Sequence, residues 1–277
     1  MPESRPPLFD FSASLHARRR AARLGGDRFL ERAALEGLCD RLAAVTRKFE
    51  TGLWIGGQVP AEMAGFAQDW RCADFDAQET LRAEGTFDLA VSLFSLQWIN
   101  DLPGALSQIR RRLKPDGLFV GAMLGGGSLS ELREAFTHAE LATRGGVSPR
   151  VAPAADVRDL GALLQRAGFA LPVADVERLN VRYGDFFALV RDLRAHGFTN
   201  TMTERSRVPL RRDTLAALLD HYAKHHTENG KLLARFDTLY LTGWAPHESQ
   251  QKPLKPGSAK ASLAEALGTA EQSLKGG

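Results

Sequence analysis

Apolar positions in this chain follow two alternating rhythms. Phe29, Leu30, Ala33, Ala34, Leu38, Leu42 and Val45 recur at helical spacing between Asp27 and Phe49. A short strand is expected at Gly52 to Ile55. It is followed by a turn and a helix opened by Pro60, where a missing N–H does no harm. Asp69 to Phe75 reads as a strand. Phe87 to Ser95 is a nearly continuous apolar run, as a strand covered on both faces requires. Leu102, Ala105, Leu106, Ile109 and Leu113 form one helical stripe, closed by the turn Lys114-Pro115-Asp116-Gly117 before a strand at Leu118 to Leu124. Gly125 to Gly127 break that strand, and Ser128 with Glu131 predicts a capping box at the next helix.

Further helices are expected at Asp156 to Ala167, near Phe186 to Ala195 and at Arg212 to His225, with strands at Val173 to Val181 and Ala234 to Trp244. The segment up to Arg23 is polar and arginine-rich, an arm or irregular helix. The Pro-, Lys- and Ser-rich tail after His247 has few large apolar residues, so it is expected to be flexible. Strand–helix alternation from Gly52 onward predicts an α/β architecture. It is a doubly wound, mostly parallel sheet with helices on both faces and right-handed crossovers.

Composition narrows the function classes. At 277 residues and 44% hydrophobic, the chain supports one large core, with or without an inserted cap. A formal net charge of +3 and no basic run longer than Arg18-Arg19-Arg20 plus Arg23 argue against nucleic-acid binding. Cys39 and Cys72 form no CxxC, so neither a disulfide framework nor a zinc ribbon is expected. No apolar run reaches the ~18 to 20 residues of a membrane helix, and the N-terminus lacks a secretory h-region. A cytoplasmic location is the expectation. His221 and His225 stand at i and i+4 with His226 beside them, a spacing that suits a metal pair. With no Glu following the first, a solvated basic helix face and no metal are expected. No G-x-S-x-G is present and no cysteine has an evident His partner, so no catalytic residue is named.

The run from Phe87 to Pro103 (FDLAVSLFSLQWINDLP), followed by Leu113-Lys-Pro-Asp-Gly117, resembles the fourth strand and following helix of class I S-adenosylmethionine (SAM)-dependent methyltransferases. More narrowly, the chain is similar to the group holding the biotin-pathway malonyl-carrier-protein methyltransferase and mitochondrial complex I assembly factor 5. Gly121-Ala-Met-Leu-Gly-Gly126, Leu129-Ser-Glu-Leu-Arg133, Asp159 to Phe169, Arg211-Arg-Asp-Thr214, Gly243-Trp244, His247-Glu-Ser-Gln250 and Gly257-Ser258 carry the narrower likeness. The resemblance implies a Rossmann-like sheet, SAM as ligand, and a protein partner such as a respiratory-complex subunit. It also implies an arm over 1–26, a domain over 27–247 with a helical cap inserted at about 185–233, and a tail over 248–277. Activities in the group differ, carboxyl O-methylation in one branch and arginine hydroxylation in the other, so family alone does not set the reaction.

Such a sheet binds its ligand beyond the carboxyl ends of the strands, on a glycine-rich first turn. The resemblance places that turn at Leu53 to Pro60, with cofactor contacts at Ile55, Gly56, Gly57, Asp74, Phe75, Leu96 and Gln97. Gly56 keeps one glycine of the D-x-G-x-G-x-G run. Trp54 stands where the acid belongs, Gln58 replaces a glycine, and Pro60 falls near the third. The site therefore reads either as a reduced SAM cradle or as a scaffold whose pocket Trp54 has closed. Only residues 61–86 separate this loop from Phe87, so one strand–helix unit is missing. The preferred reading is that the second strand, with its ribose-binding acid, is lost and Asp74 ends the third. In the alternative, Asp74 or Asp76 is the ribose acid and a later strand is lost. Trp98 is either a ligand-facing residue or a packing aromatic. A nicotinamide oxidoreductase on the same sheet would need a G-x-G-x-x-G turn, which is absent.

Overall fold

A computed structural model describes residues 6–251. Its sheet has the order β2-β1-β3-β4-β7-β5, with β6 paired to β7. The strands are β1 (Phe49–Ile55), β2 (Ala67–Ala73), β3 (Phe87–Leu93), β4 (Leu113–Leu124), β5 (Ala170–Tyr183), β6 (Thr227–Glu228) and β7 (Lys231–Trp244). β2, β1, β3 and β4 run parallel, whereas β7 is antiparallel to β4 and β5 to β7. Helices are α1 (Phe11–Leu24), α2 (Phe29–Ala43), α3 (Leu102–Arg111), α4 (Ser130–Arg144), α5 (Val157–Arg166), α6 (Phe186–Ala195) and α7 (Arg212–His225).

Period-two alternation sorts the sheet residues onto two faces. Leu118, Val120, Ala122 and Leu124 of β4 join Trp54 and helices α2, α4, α6 and α7 in one core cluster. Phe119 and Met123 join Leu53, Ile55 and helices α3 and α5 in the other. β3 is buried along nearly its whole length, which is why its sequence is apolar without a break. None of the described helices is long and apolar enough to cross a membrane.

Several local expectations are corrected. The N-terminal arm is a regular helix, α1, capped by Asp10, whose carboxylate accepts from Ala13 N and pairs with Arg205. Pro60 opens only a single 3-10 turn at Ala61–Met63, so residues 56–66 cross from β1 to β2 without an α-helix. So short a connection reaches only the adjacent place in the sheet, and β2 pairs directly with β1. The strand ending before Asp74 is the edge of the sheet beside β1, a place compatible with either reading of the lost unit. The turn at 114–117 lies inside β4, where Asp116 takes a left-handed φ of 61°.

The capping box at Ser128 and Glu131 does not form. α4 starts at Ser130 behind Leu129, whose φ is 55° and which gives no side-chain cap. The Ser128 hydroxyl instead donates to Asp237 O and accepts from Asp237 N, and Glu131 accepts from Arg235 N. Both side chains moor α4 to β7 rather than to its own first turn. α6 and α7 lie between β5 and β7, where an inserted helical segment was expected. The tail and Gly257-Ser258 lie outside the described residues, apart from 248–251.

Candidate functional site

The carboxyl ends of β1 and β3 open onto a cleft of about 310 Å³, at the lower end of the ~300–1,000 Å³ usual for small-ligand sites. Gly56 turns the chain here at φ 138°, and its N–H donates to Ala73 O at 2.9 Å. A Cβ at this position would stand 2.9 Å from Ser95 Oγ, so the close crossing of the two loops requires glycine. The Ser95 hydroxyl in turn lies 3.0 Å from Ile55 O and ties the turn to β1. Gly57 is exposed and meets nothing within 4 Å.

α1 and the loop after α6 roof the cleft, bringing Arg18, Ala21 and His196 to Trp54, Gly56 and Gly57. Trp54 is 4% exposed and belongs to the core beneath. Asp74 lies beside the cleft rather than on its wall. One carboxylate oxygen pairs with Arg18 at 2.9 Å, and the other accepts from Phe75 N. The acid lining the cleft is Glu31, held by Arg28 at 2.9 Å; burial pushes its carboxyl above the ordinary range. His196 Nε2 accepts from Leu30 N while Nδ1 lies 2.8 Å from Asp192 O, which fixes the proton on Nδ1.

Of the seven expected cofactor contacts, then, Gly56 and Gly57 line this cleft. Ile55, Phe75 and Leu96 are core residues at 0%, 4% and 1% exposure. Gln97 belongs to a second hollow.

That second hollow is larger, about 520 Å³, and lies under the inserted helices. Leu132 and Phe136 of α4, Phe186 and Val190 of α6 and Leu124 of β4 make its walls largely apolar. Gln97 is 7% exposed, and neither its Oε1 nor its Nε2 has a hydrogen-bond partner. An unmet buried amide of this kind costs ~1–3 kcal/mol. Arg150 at the wall is neutralised by Glu140, whose carboxylate is 0% exposed and bonded at 2.6 and 2.8 Å. Burial pushes that carboxyl up, but the Ser148 N–H and Arg150 outweigh it and hold it below the usual range. Trp98 and Phe198 line both hollows and separate them. Phe198 packs on Phe94 at 5.3 Å and Trp98 on Phe9 at 5.5 Å, so Trp98 is a packing aromatic as well as a wall.

Sequence reading missed this hollow because its walls come from three helices, the end of β4 and the loops between them, each carrying mostly ordinary apolar positions. It also missed Arg18 as the partner of Asp74, 56 positions away. On α7, the expected solvated histidine face is not fully solvated: His221 is 9% exposed and its ring stacks on His138 at 4.2 Å.

Residues 7–172 match a family described as a methyltransferase domain. The chain belongs to that methyltransferase family. It is 44% identical over 196 residues to "Arginine-hydroxylase NDUFAF5, mitochondrial" of Danio rerio, covering 70% of this chain and 61% of that protein. To the protein of the same name from Homo sapiens it is 45% identical over 183 residues, covering 66% and 53%. A "Malonyl-[acyl-carrier protein] O-methyltransferase" of Gallionella capsiferriformans is 36% identical over 177 residues, covering 63% and 57%. The chain thus spans between about half and three fifths of the length of these relatives.

The β1 end of the cleft departs from the SAM cradle that the resemblance implies. SAM carries an ammonium and a sulfonium, which bind where carboxylates face them, and a carboxylate, which binds where a cation faces it. At the β1 end the acid is replaced by buried Trp54, and Asp74 is spent on Arg18. Arg18 and Arg28 stand on the cleft wall instead.

Proposed function

We propose that this methyltransferase-fold protein works as an assembly-type scaffold that holds a protein partner and has given up SAM. The partner class follows the NDUFAF5-like relatives and the resemblance to complex I assembly factors: a subunit of a respiratory complex. One observation carries the reading. The inherited cleft is lined by Arg18 and Arg28, with its carboxylates absent or already paired. The apolar hollow beside it is large enough to take side chains of a partner. Calorimetric or thermal-shift titration with SAM tests it. A ligand at a hundred times its Kd stabilises by ~2.7 kcal/mol. No shift at millimolar SAM is expected, and a saturable shift would overturn the reading.

A second reading, a SAM-dependent methyltransferase or related hydroxylase, is favoured by Gly56, which keeps the turn open at φ 138°. It predicts the opposite result in the same titration.

A further inference from the structure

α4 and α7 pack side by side, and at one place their facing side chains are all potential metal donors. Glu134 comes from α4; His221 ends one turn of α7 and His226 follows its last residue. Their donor atoms all lie within 4.8 Å of one another. Glu134 Oε1 is 3.4 Å from His221 Nε2, and Oε2 is 3.6 Å from His226 Nε2. Zinc–nitrogen and zinc–oxygen bonds of ~2.0–2.2 Å in a tetrahedron set neighbouring donors about 3.4 Å apart. Both separations, one to each oxygen of Glu134, are close to that spacing.

We propose that Glu134, His221 and His226 bind a divalent transition-metal ion of the zinc class between α4 and α7. A second observation points to a ligand here. His226 Nε2 is buried and makes no hydrogen bond, an orphaned acceptor or donor facing Glu134. The His221 side chain is 10% exposed. The rings of His138 and His225 stand 4.2 and 4.4 Å from that of His221, so further donors are at hand. Glu134 is 60% exposed, which leaves the fourth position open to water or to one of those rings.

Borderline ions suit imidazole with one carboxylate better than calcium or magnesium do. The scaffold is already set: the Thr143 and Thr214 hydroxyls join α4 to α7 at 2.8 Å, and the Tyr222 hydroxyl anchors α7 by donating to Leu233 O. Because Leu132 and Phe136 of α4 and Leu215 of α7 face the apolar hollow, an ion here pins two of its walls together.

The full chain, free of any histidine tag and stripped with chelator, is titrated with Zn²⁺ alone by calorimetry. Cobalt substitution supplies a second, spectroscopic readout. One ion per chain is expected, with the visible bands of a four-coordinate cobalt site. Glu134→Gln and His226→Ala should each lose at least the roughly 10- to 100-fold in affinity that even an outer-shell change costs. Unchanged circular dichroism will show that both variants are folded. Absence of saturable binding, or binding that survives both substitutions, overturns the proposal. So does a site lost in His138→Ala and His225→Ala but kept in His226→Ala. A plain Glu134–His221 hydrogen bond would give the first of these results.

Discussion

The two hollows on either side of Trp98 and Phe198 sit on one sheet yet differ in what built them. The smaller lies on the parallel strands, where Gly56 still makes the turn that a ligand cleft needs, but its charges are Arg18, Arg28 and Glu31 and its floor is an indole. The larger lies beneath helices inserted between the antiparallel strands; its wall is largely apolar and its Arg150 is paired with the buried Glu140. A fold can keep the backbone of a binding site while changing the side chains that gave it chemistry, because the turn is held by packing and the chemistry is not.

Trp54 is the sharpest place to break this contrast. Trp54→Ala removes a core indole and should cost about 3–5 kcal/mol by denaturant unfolding. If SAM then binds the variant but not the native chain, the indole is what closes the cleft. If neither binds, the missing carboxylates are sufficient cause.

Glu140→Gln addresses the other hollow. It leaves the Arg150 guanidinium, 14% exposed, without its counter-ion, and a broken buried pair costs about 3 kcal/mol or more. Its contribution also depends on pH. The folded-state pKa is below the ordinary 4.5, so the unfolded chain takes up the proton first as pH falls. The stabilisation is complete above 4.5 and disappears as pH drops through the lower folded value. Melting temperature against pH should therefore fall more steeply below 4.5 in the native chain than in Glu140→Gln.

Gln97→Leu has the smallest and opposite effect. Removing an unbonded buried amide should raise stability by about 1 kcal/mol, at the expense of a polar anchor in the hollow. A stabilised variant that still holds its partner unchanged would show that Gln97 does not serve binding.

Much of the architecture was legible. β3 announced itself by its continuous apolar run and α3 by a single stripe; α5 and α6 also form where expected, and Asp101, Asp156 and Asp185 cap these three helices. What could not be read depended on partners distant in the chain. Ser128 and Glu131 have the spacing of a capping box, but β7 competes for both. Pro60 signals a helix start, yet the crossover it opens is too short to complete one. In the site, Gly56 was readable because one backbone angle demands it. Arg18 roofing the cleft and Glu134 facing two histidines come from helix packing, for which no local pattern exists.

Ending the sheet at β2 has a further effect. An edge strand offers a free row of N–H and C=O groups, an invitation to pair with another chain. β2 answers with polar and charged side chains on its open stretch: Gln68, Asp69 and Arg71 are exposed, and Asp69 and Arg71 pair at 3.4 Å. Side chains of this kind disfavour edge-to-edge pairing between copies, so a role in keeping the shortened sheet from growing falls to three residues that touch neither hollow.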